Sequence, residues 1–366
     1  MKIAFDAKRF FHNTSGLGNY SRDLVRILSK YYPENQYLLL NKNKSERGSD
    51  ILENSDVTFV ETSKGTMSRQ FKMGKDAQKE NADIFHGLSG ELPLQWDKKP
   101  IKKIVTIHDL IFVRYPQYYS FFDRKIHLWK FKKAANTADK IIAISEQTKR
   151  DIIQFLKVSE SKIEVIYQGC HQAFKEEQSD EFIQKTKEKF NLPERFILNV
   201  GTIEERKNLF SIVKAIKDTT IPLVVVGKKT KYFQKIKHFI EKNKMEGQIH
   251  FLEGVSMDEL AAIYKLADIF VYPSFFEGFG IPIIEALFSK TVTITSNTSC
   301  LPEAGGPDSV YIDPKNHLDI QSKIKFLWDS ESERKRRSDK GFEFVQKFND
   351  EPIAHQLMSL YQKIIS

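Results

Sequence analysis

Tyr272-Pro273-Ser274-Phe275-Phe276-Glu277-Gly278-Phe279-Gly280-Ile281-Pro282-Ile283-Ile284-Glu285-Ala286-Leu287 is the stretch on which the reading of this chain turns. The run before it, Ala267 to Tyr272, reads as a buried strand, and Pro282 suits the first turn of a helix, so the residues between form a strand-to-helix loop. That loop carries Glu277, Gly278, Phe279 and Gly280. A helix N-terminus preceded by glycines presents backbone N–H groups and the positive end of a dipole, which suits a phosphate. Glu285 follows about one turn into the helix, and its two acceptor oxygens are enough for both hydroxyls of a ribose while the loop faces an attached diphosphate. An acid in a first helical turn is also ordinary dipole compensation, and glycines before a helix are ordinary punctuation.

Outward from this stretch, short β-rich runs alternate with helical patterns, which predicts parallel α/β units with binding residues just beyond the carboxyl ends of the strands. Arg195 to Gly201 reads as the first strand of a second domain, followed by Thr202-Ile203-Glu204-Glu205-Arg206-Lys207-Asn208-Leu209. Two cations in that position suit a departing diphosphate, because fixed charge there stabilises a transition state more than a ground state. An exposed basic turn gives the same pattern. Later strands are read at Ile221 to Val226, at Ile249 to Leu252 with Val255 on the loop after it, and at Thr291 to Thr295 as the last of the sheet.

In the first half, the strand Lys2 to Asp6 leads into a loop through Gly16 and Gly18, then a helix to about Lys30. A dinucleotide fingerprint is excluded there, since position 21 is Ser21 and the second strand ends in Asn41-Lys42 rather than an acid. Residues 43 to 80 are polar and lysine-rich, with a turn at residues 63 to 66, and read as solvated surface. His86 and His108 fall at strand ends, each equally readable as a structural hydrogen-bonder. Asp109 either caps the next turn or acts on a substrate hydroxyl. Residues 120 to 137 form a basic helix with large apolar residues, suited to an anionic membrane or to a core-facing stripe.

Length and composition set the outer bounds. At 366 residues with 40% apolar and 29% charged, the chain is sized for two soluble domains. Two cysteines make no disulfide framework, Met1 to Asp6 is already a strand rather than a leader, and no apolar run approaches the roughly twenty residues of a spanning helix. A cytoplasmic location, extending to the inner face of the membrane, is expected. The formal charge of +9 is scattered and no zinc-finger or RNP spacing appears, so nucleic acid is not an expected partner.

Two glutamates eight residues apart around a glycine loop, together with the 199 to 209 segment, resemble the retaining, nucleotide-sugar-dependent glycosyltransferases of family 4 (glycosyl transferases group 1). The resemblance runs over nearly the whole chain. It implies the α/β GT-B fold: two Rossmann-like parallel-sheet domains facing a cleft, an acceptor-side one at residues 1–172, a nucleotide-sugar-binding one at 173–350, and a C-terminal helix at 351–366 returning to the first. It implies that Glu285 holds the donor ribose and Glu277 lies beside the transferred sugar. Lys207 matches the family lysine; the arginine often found directly after the glycine is Thr202 here, and Arg206 is the substitute. Thr-Ile-His-Asp-Leu at 106 to 110 resembles the element whose histidine, His108, reaches the donor sugar, with Asp109 and His86 on the acceptor side. Gly16, Gly18, Gly201, Thr202, Gly278, Phe279, Gly280 and Val255 would line the donor.

The implied reaction moves a hexosyl group, mannosyl as the first choice, from a nucleoside diphosphate sugar to a hydroxyl of a glycan or lipid-linked acceptor in cell-surface polysaccharide synthesis. It needs no cofactor and no metal, the sugar nucleotide being a substrate. An epimerase, a phosphorylase and a non-catalytic nucleotide-sugar-binding subunit share the same fold and stand as alternatives.

Overall fold

Short runs of Val, Ile and Leu, buried on both faces, pair into two all-parallel sheets in this computed structural model, which describes every residue except Ser15 and Thr66. The chain divides into two units, Met1–Gly169 with Phe348–Ser366, and Cys170–Lys347. Each is an α/β Rossmann-like layer, and the pair constitutes the GT-B architecture.

In the first unit the strands are β1 (Lys2–Asp6), β2 (Gln36–Asn41), β3 (Val57–Glu61), β4 (Ile84–Gly87), β5 (Lys102–Ile107), β6 (Lys140–Ala143) and β7 (Ile163–Val165), in the order β3-β2-β1-β4-β5-β6-β7. The chain winds outward from β1 in one direction and then restarts at β4 on its other side. The gap between the loops leaving β1 and β4 is therefore the topological switch point.

The second unit repeats this plan. Its strands are β8 (Ile197–Val200), β9 (Leu223–Val226), β10 (Ile249–Leu252), β11 (Ile269–Tyr272), β12 (Thr293–Ser296) and β13 (Val310–Ile312), ordered β10-β9-β8-β11-β12-β13. Its switch point lies between β8 and β11, the strands that precede residues 201–208 and 273–280.

Three expectations are corrected. Residues 43 to 80 are not merely solvated surface: β3 pairs along β2 from Tyr37↔Val57 to Asn41↔Glu61, and the Met73–Lys79 helix buries Met73, Ala77 and Gln78. An edge strand with one buried position at its start carries too little apolar periodicity to stand out. The turn expected at 63 to 66 includes Thr66, outside the described residues. The sheet of the second unit does not end at Thr295, since β13 adds three residues in register Ile294↔Val310 to Ser296↔Ile312. The loop after β1 is largely helical: Lys8–His12 is one short helix and a second, Gly16–Tyr31, already includes both glycines.

The C-terminal segment belongs to the first unit. A 3-10 turn at Gln346–Phe348 breaks the helical run, Phe348 packs edge-on against Tyr167 at 5.4 Å, and the Asp350–Ile365 helix buries Ile353, Leu357, Met358 and Tyr361. They join the core formed by Phe5, Leu24, Leu28 and Ile84. Arg26 closes the contact by bonding Asp350 at 2.7 Å.

Candidate functional site

In the second unit, both loops at the switch point are sewn to each other through backbone and side chains. Phe275 N–H donates to the Arg206 carbonyl at 2.9 Å, and Asn208 Nδ2 donates to the carbonyls of Pro273 and Pro314 at 3.1 and 2.7 Å. This fixes Arg206 and Lys207 against the loop that carries Glu277. Arg206 Nη1 lies 2.7 Å from Glu277 Oε2, and Lys207 Nζ lies 3.1 Å from Oε1. Tyr272 Oη and Ser274 Oγ donate to Oε1 at 2.8 and 2.9 Å. Burial alone would raise the Glu277 pKa. The charges of Lys207 and Arg206 and the hydrogen bonds outweigh it, holding the carboxyl down at about 2.

Lys207 reaches this place over Gly201, whose φ of +139° suits glycine and whose missing side chain leaves room for the lysine stem: a Cβ there would sit 3.0 Å from Lys207 Cδ. Lys207 Nζ also donates to Tyr272 Oη at 2.6 Å. Gly280, at φ +113°, is the turn into the Ile281–Phe288 helix, with Pro282 in its first turn as the sequence indicates. The loop before it is pinned from the other side. Ser299 Oγ and Cys300 Sγ donate to the Glu277 carbonyl at 2.9 and 3.1 Å, and Cys300 Sγ to the Phe279 carbonyl at 3.1 Å.

Glu285 lies on the buried face of that helix and accepts from Tyr264 Oη at 3.1 Å. Here burial wins: it pushes the carboxyl up to about 7, against the Tyr264 hydrogen bond and the charge of Lys207. The two glutamates on either side of one glycine loop therefore have opposite environments, one fully ionised and one poised near neutrality. Thr202 is half-buried on the loop beside Gly201, while Val255 lies after β10, two strands away from β8.

Of the residues named from the sequence, Glu277, Glu285, Arg206, Lys207, Gly201, Gly278 and Gly280 lie in this one unit, whereas Gly16 and Gly18 lie in the other. The sequence reading misses Tyr272, Ser274 and Tyr264. The available signal was that Tyr272 closes an apolar strand at its carboxyl end, where a phenol hydroxyl faces whatever the sheet binds.

The first unit holds the remaining residues. His108 follows β5, bonds the Leu88 carbonyl through Nε2 at 2.9 Å and packs edge-on against Tyr20 at 4.6 Å. Burial and the nearby charge of Arg9 lower its pKa to about 4, against the Leu88 bond, so the imidazole is neutral near pH 7. Asp109 Oδ1 accepts from the Ile111 N–H at 3.0 Å, and Gly18 N–H donates to Asn13 Oδ1 at 3.2 Å, while Gly16 is exposed.

His86 is corrected from an acceptor-side residue to a core one. It is 0% exposed, with Nδ1 2.7 Å from Tyr361 Oη and Nε2 2.8 Å from Thr106 Oγ1. The returning C-terminal helix covers the strand end on which it stands.

Two family models match: Glycosyltransferase Family 4 over residues 49–173 and Glycosyl transferases group 1 over residues 180–344. The chain is 29% identical over 252 residues to the serotype-specific mannosyltransferase WbdA of Escherichia coli, covering 64% of this chain and 30% of that protein. It is 31% identical over 223 residues to the O-antigen chain mannosyltransferase RfbU of Salmonella typhimurium, covering 60% of this chain and 59% of that one. The chain thus spans less than two thirds of the length of either relative. In fold it is similar to Anabaena HepE, solved in complex with UDP and glucose, with a TM-score of 0.77 over 99% of this chain and 100% of that one at 14% identity. With the two family models lying end to end across the two Rossmann-like units, the chain belongs to glycosyltransferase family 4, group 1, of the GT-B fold.

Proposed function

We propose that this protein transfers a hexosyl group, mannosyl first, from a nucleoside diphosphate sugar to a hydroxyl of a glycan or lipid-linked acceptor in surface polysaccharide synthesis, with retention and without a metal ion. The observation that carries the reading is the pairing of Arg206 and Lys207 with Glu277 at the switch point, on the loop that enters the helix bearing Glu285. Two preorganised cations neutralise a departing diphosphate without a divalent ion. The mannosyl choice rests on the relatives, and a UDP-bound structural neighbour keeps other sugar nucleotides in view.

In the proposed step the bond from the anomeric carbon to the diphosphate oxygen breaks, and the acceptor oxygen bonds that carbon on the same face. The acceptor proton passes to the departing oxygen. A covalent route through Glu277 is disfavoured by its surroundings: both oxygens are engaged, by Arg206 on one and by Lys207, Tyr272 and Ser274 on the other, so its nucleophilicity is low. His108, neutral, offers a hydrogen bond rather than a charge to the sugar.

Glu285 gives the direct test. Ribose hydroxyls bond its ionised form best, so donor affinity should rise with pH through about 7, with proton release on binding below it. Thermal-shift and calorimetric titration with GDP-mannose and UDP-glucose should show this in the native protein. Glu285→Gln should flatten the pH profile, and Glu285→Ala should weaken binding tenfold or more. Unchanged profiles in both variants would remove the assignment; release of sugar 1-phosphate or of an epimerised donor would move the reaction to another class.

A membrane contact is part of the proposal. The Phe121–Thr137 helix packs Leu128, Phe131 and Ala135 inward while Phe122, Ile126 and Trp129, spaced along one face, are 77%, 53% and 55% exposed beside the exposed Lys125, Lys132 and Lys133. Apolar residues framed by cations fit an anionic bilayer surface. No helix among the described residues is long and apolar enough to cross one. The protein should co-sediment with phosphatidylglycerol vesicles but not with phosphatidylcholine ones. Phe122→Asp with Trp129→Asp should lower that partitioning at least tenfold, since each ring contributes about 1.5–3 kcal/mol when buried. Equal sedimentation of both proteins would refute the contact.

A further inference from the structure

The switch point of the first unit carries charges that the proposed reaction has not used. Asp6 ends β1, and Glu91 lies on the loop after β4. Both acids are already neutralised: Arg69 bonds Asp6 Oδ2 at 2.7 Å and Glu91 Oε2 at 2.9 Å, and Lys130 Nζ lies 3.3 Å from Glu91 Oε1. Lys8 and Arg9, on the helix that follows β1, are left over. Neither side chain has an ion pair or hydrogen bond among the described residues.

Their surroundings carry more positive than negative charge. Arg9 Nε is shielded from water and has no partner, an unfavourable condition for a buried donor. The Lys8 ammonium is pushed below its usual range by the charge of Arg69, then by burial and by Arg9, which together outweigh the opposing pull of Asp6 and Glu91. The Arg9 charge also reaches His108, beyond the end of β5, which pairs with β4 as β4 pairs with β1. The groups thus stand over the carboxyl ends of three neighbouring strands, where open parallel sheets bind ligands. The second unit makes the contrast plain: at its own switch point the two cations are held by Glu277, whereas here the acids are consumed by Arg69 and Lys130 and two positive charges remain.

We propose that Lys8 and Arg9 seat a phosphoryl group, the dianion that two uncompensated cations and an arginine fork match. In the transferase reading, on which only this identification rests, the group belongs to the acceptor, so the acceptor is a phosphorylated glycan or a lipid-linked phosphosugar. The donor diphosphate is the other possible source.

The intact protein is titrated with inorganic phosphate and followed by phosphorus NMR line width, with and without saturating GDP or UDP. Phosphate should bind, and binding should persist when nucleotide is saturating. Lys8→Gln and Arg9→Gln should each weaken it tenfold or more while leaving the nucleotide-induced thermal shift in place; Lys8 is exposed, so its variant keeps the fold. Glu285→Ala should do the reverse. Displacement of phosphate by nucleotide would assign the seat to the donor and overturn the proposal, as would absence of phosphate binding or indifference to both substitutions. If no nucleotide binds at all, the transferase reading fails while the phosphate seat is still decided by its own variants.

Discussion

Glu277→Gln should unfold in urea about 3 kcal/mol more easily than the native protein at pH 7, a fall of roughly 6–12 °C in the melting temperature of its unit. Glutamine keeps the acceptor used by Tyr272 and Ser274 but removes the charge that Arg206 and Lys207 share. Arg206 retains Glu204 at 2.6 Å and the Phe276 carbonyl, so the cost falls chiefly on Lys207. These side chains keep 12–17% of their surface exposed, which sets the expectation at the lower end for a broken buried pair.

The pH dependence makes the test specific. Glu277 titrates near 2 in the fold and near 4.5 when unfolded. Its stabilisation is therefore complete above about 4.5 and is lost as pH falls through the folded value. The gap between native protein and variant should be full at pH 7 and shrink measurably at pH 3.5. Equal stability at pH 7, or a gap independent of pH, would show that the ion pairs do not hold these loops together.

What the sequence could show was local. A strand followed within sixteen residues by two glycines, two prolines and two acids describes a strand-to-helix loop on its own terms, and Arg206-Lys207 after Gly201 does likewise. What escaped it depends on partners distant in the chain. His86 looks like a strand-end histidine until a helix 275 residues later places Tyr361 on its Nδ1. Tyr272 and Ser274 look like part of an apolar strand and its turn until Lys207, 65 residues earlier, meets the phenol. The 120 to 137 helix is apolar on two faces, so its spacing does not tell which faces out; the core formed by Phe85, Val105 and Ala143 decides that by taking Leu128 and Phe131. Edge elements such as β3 and β13 are short and half-paired, and periodicity is weakest there.

Lys207→Ala should lower kcat about 10²–10³-fold, the usual cost of removing one preorganised group from a developing negative charge. The donor KM should change far less, because the diphosphate is already charged in the ground state and Arg206, the helix start and Glu285 remain to bind it. The ammonium is placed by three contacts: Tyr272 Oη, Glu277 Oε1 and the stem lying over Gly201. Charge alone is therefore not enough. Lys207→Arg keeps the charge, but its planar fork does not fit the space over Gly201 or reproduce a point charge, so it should recover only a minor part of the rate. Steady-state kinetics with a matched donor and acceptor, at saturating concentrations of each, separate the two constants. A kcat within threefold of native for the alanine variant, or a loss confined to KM, would show that this lysine binds the diphosphate without assisting its departure, and would shift that task to Arg206.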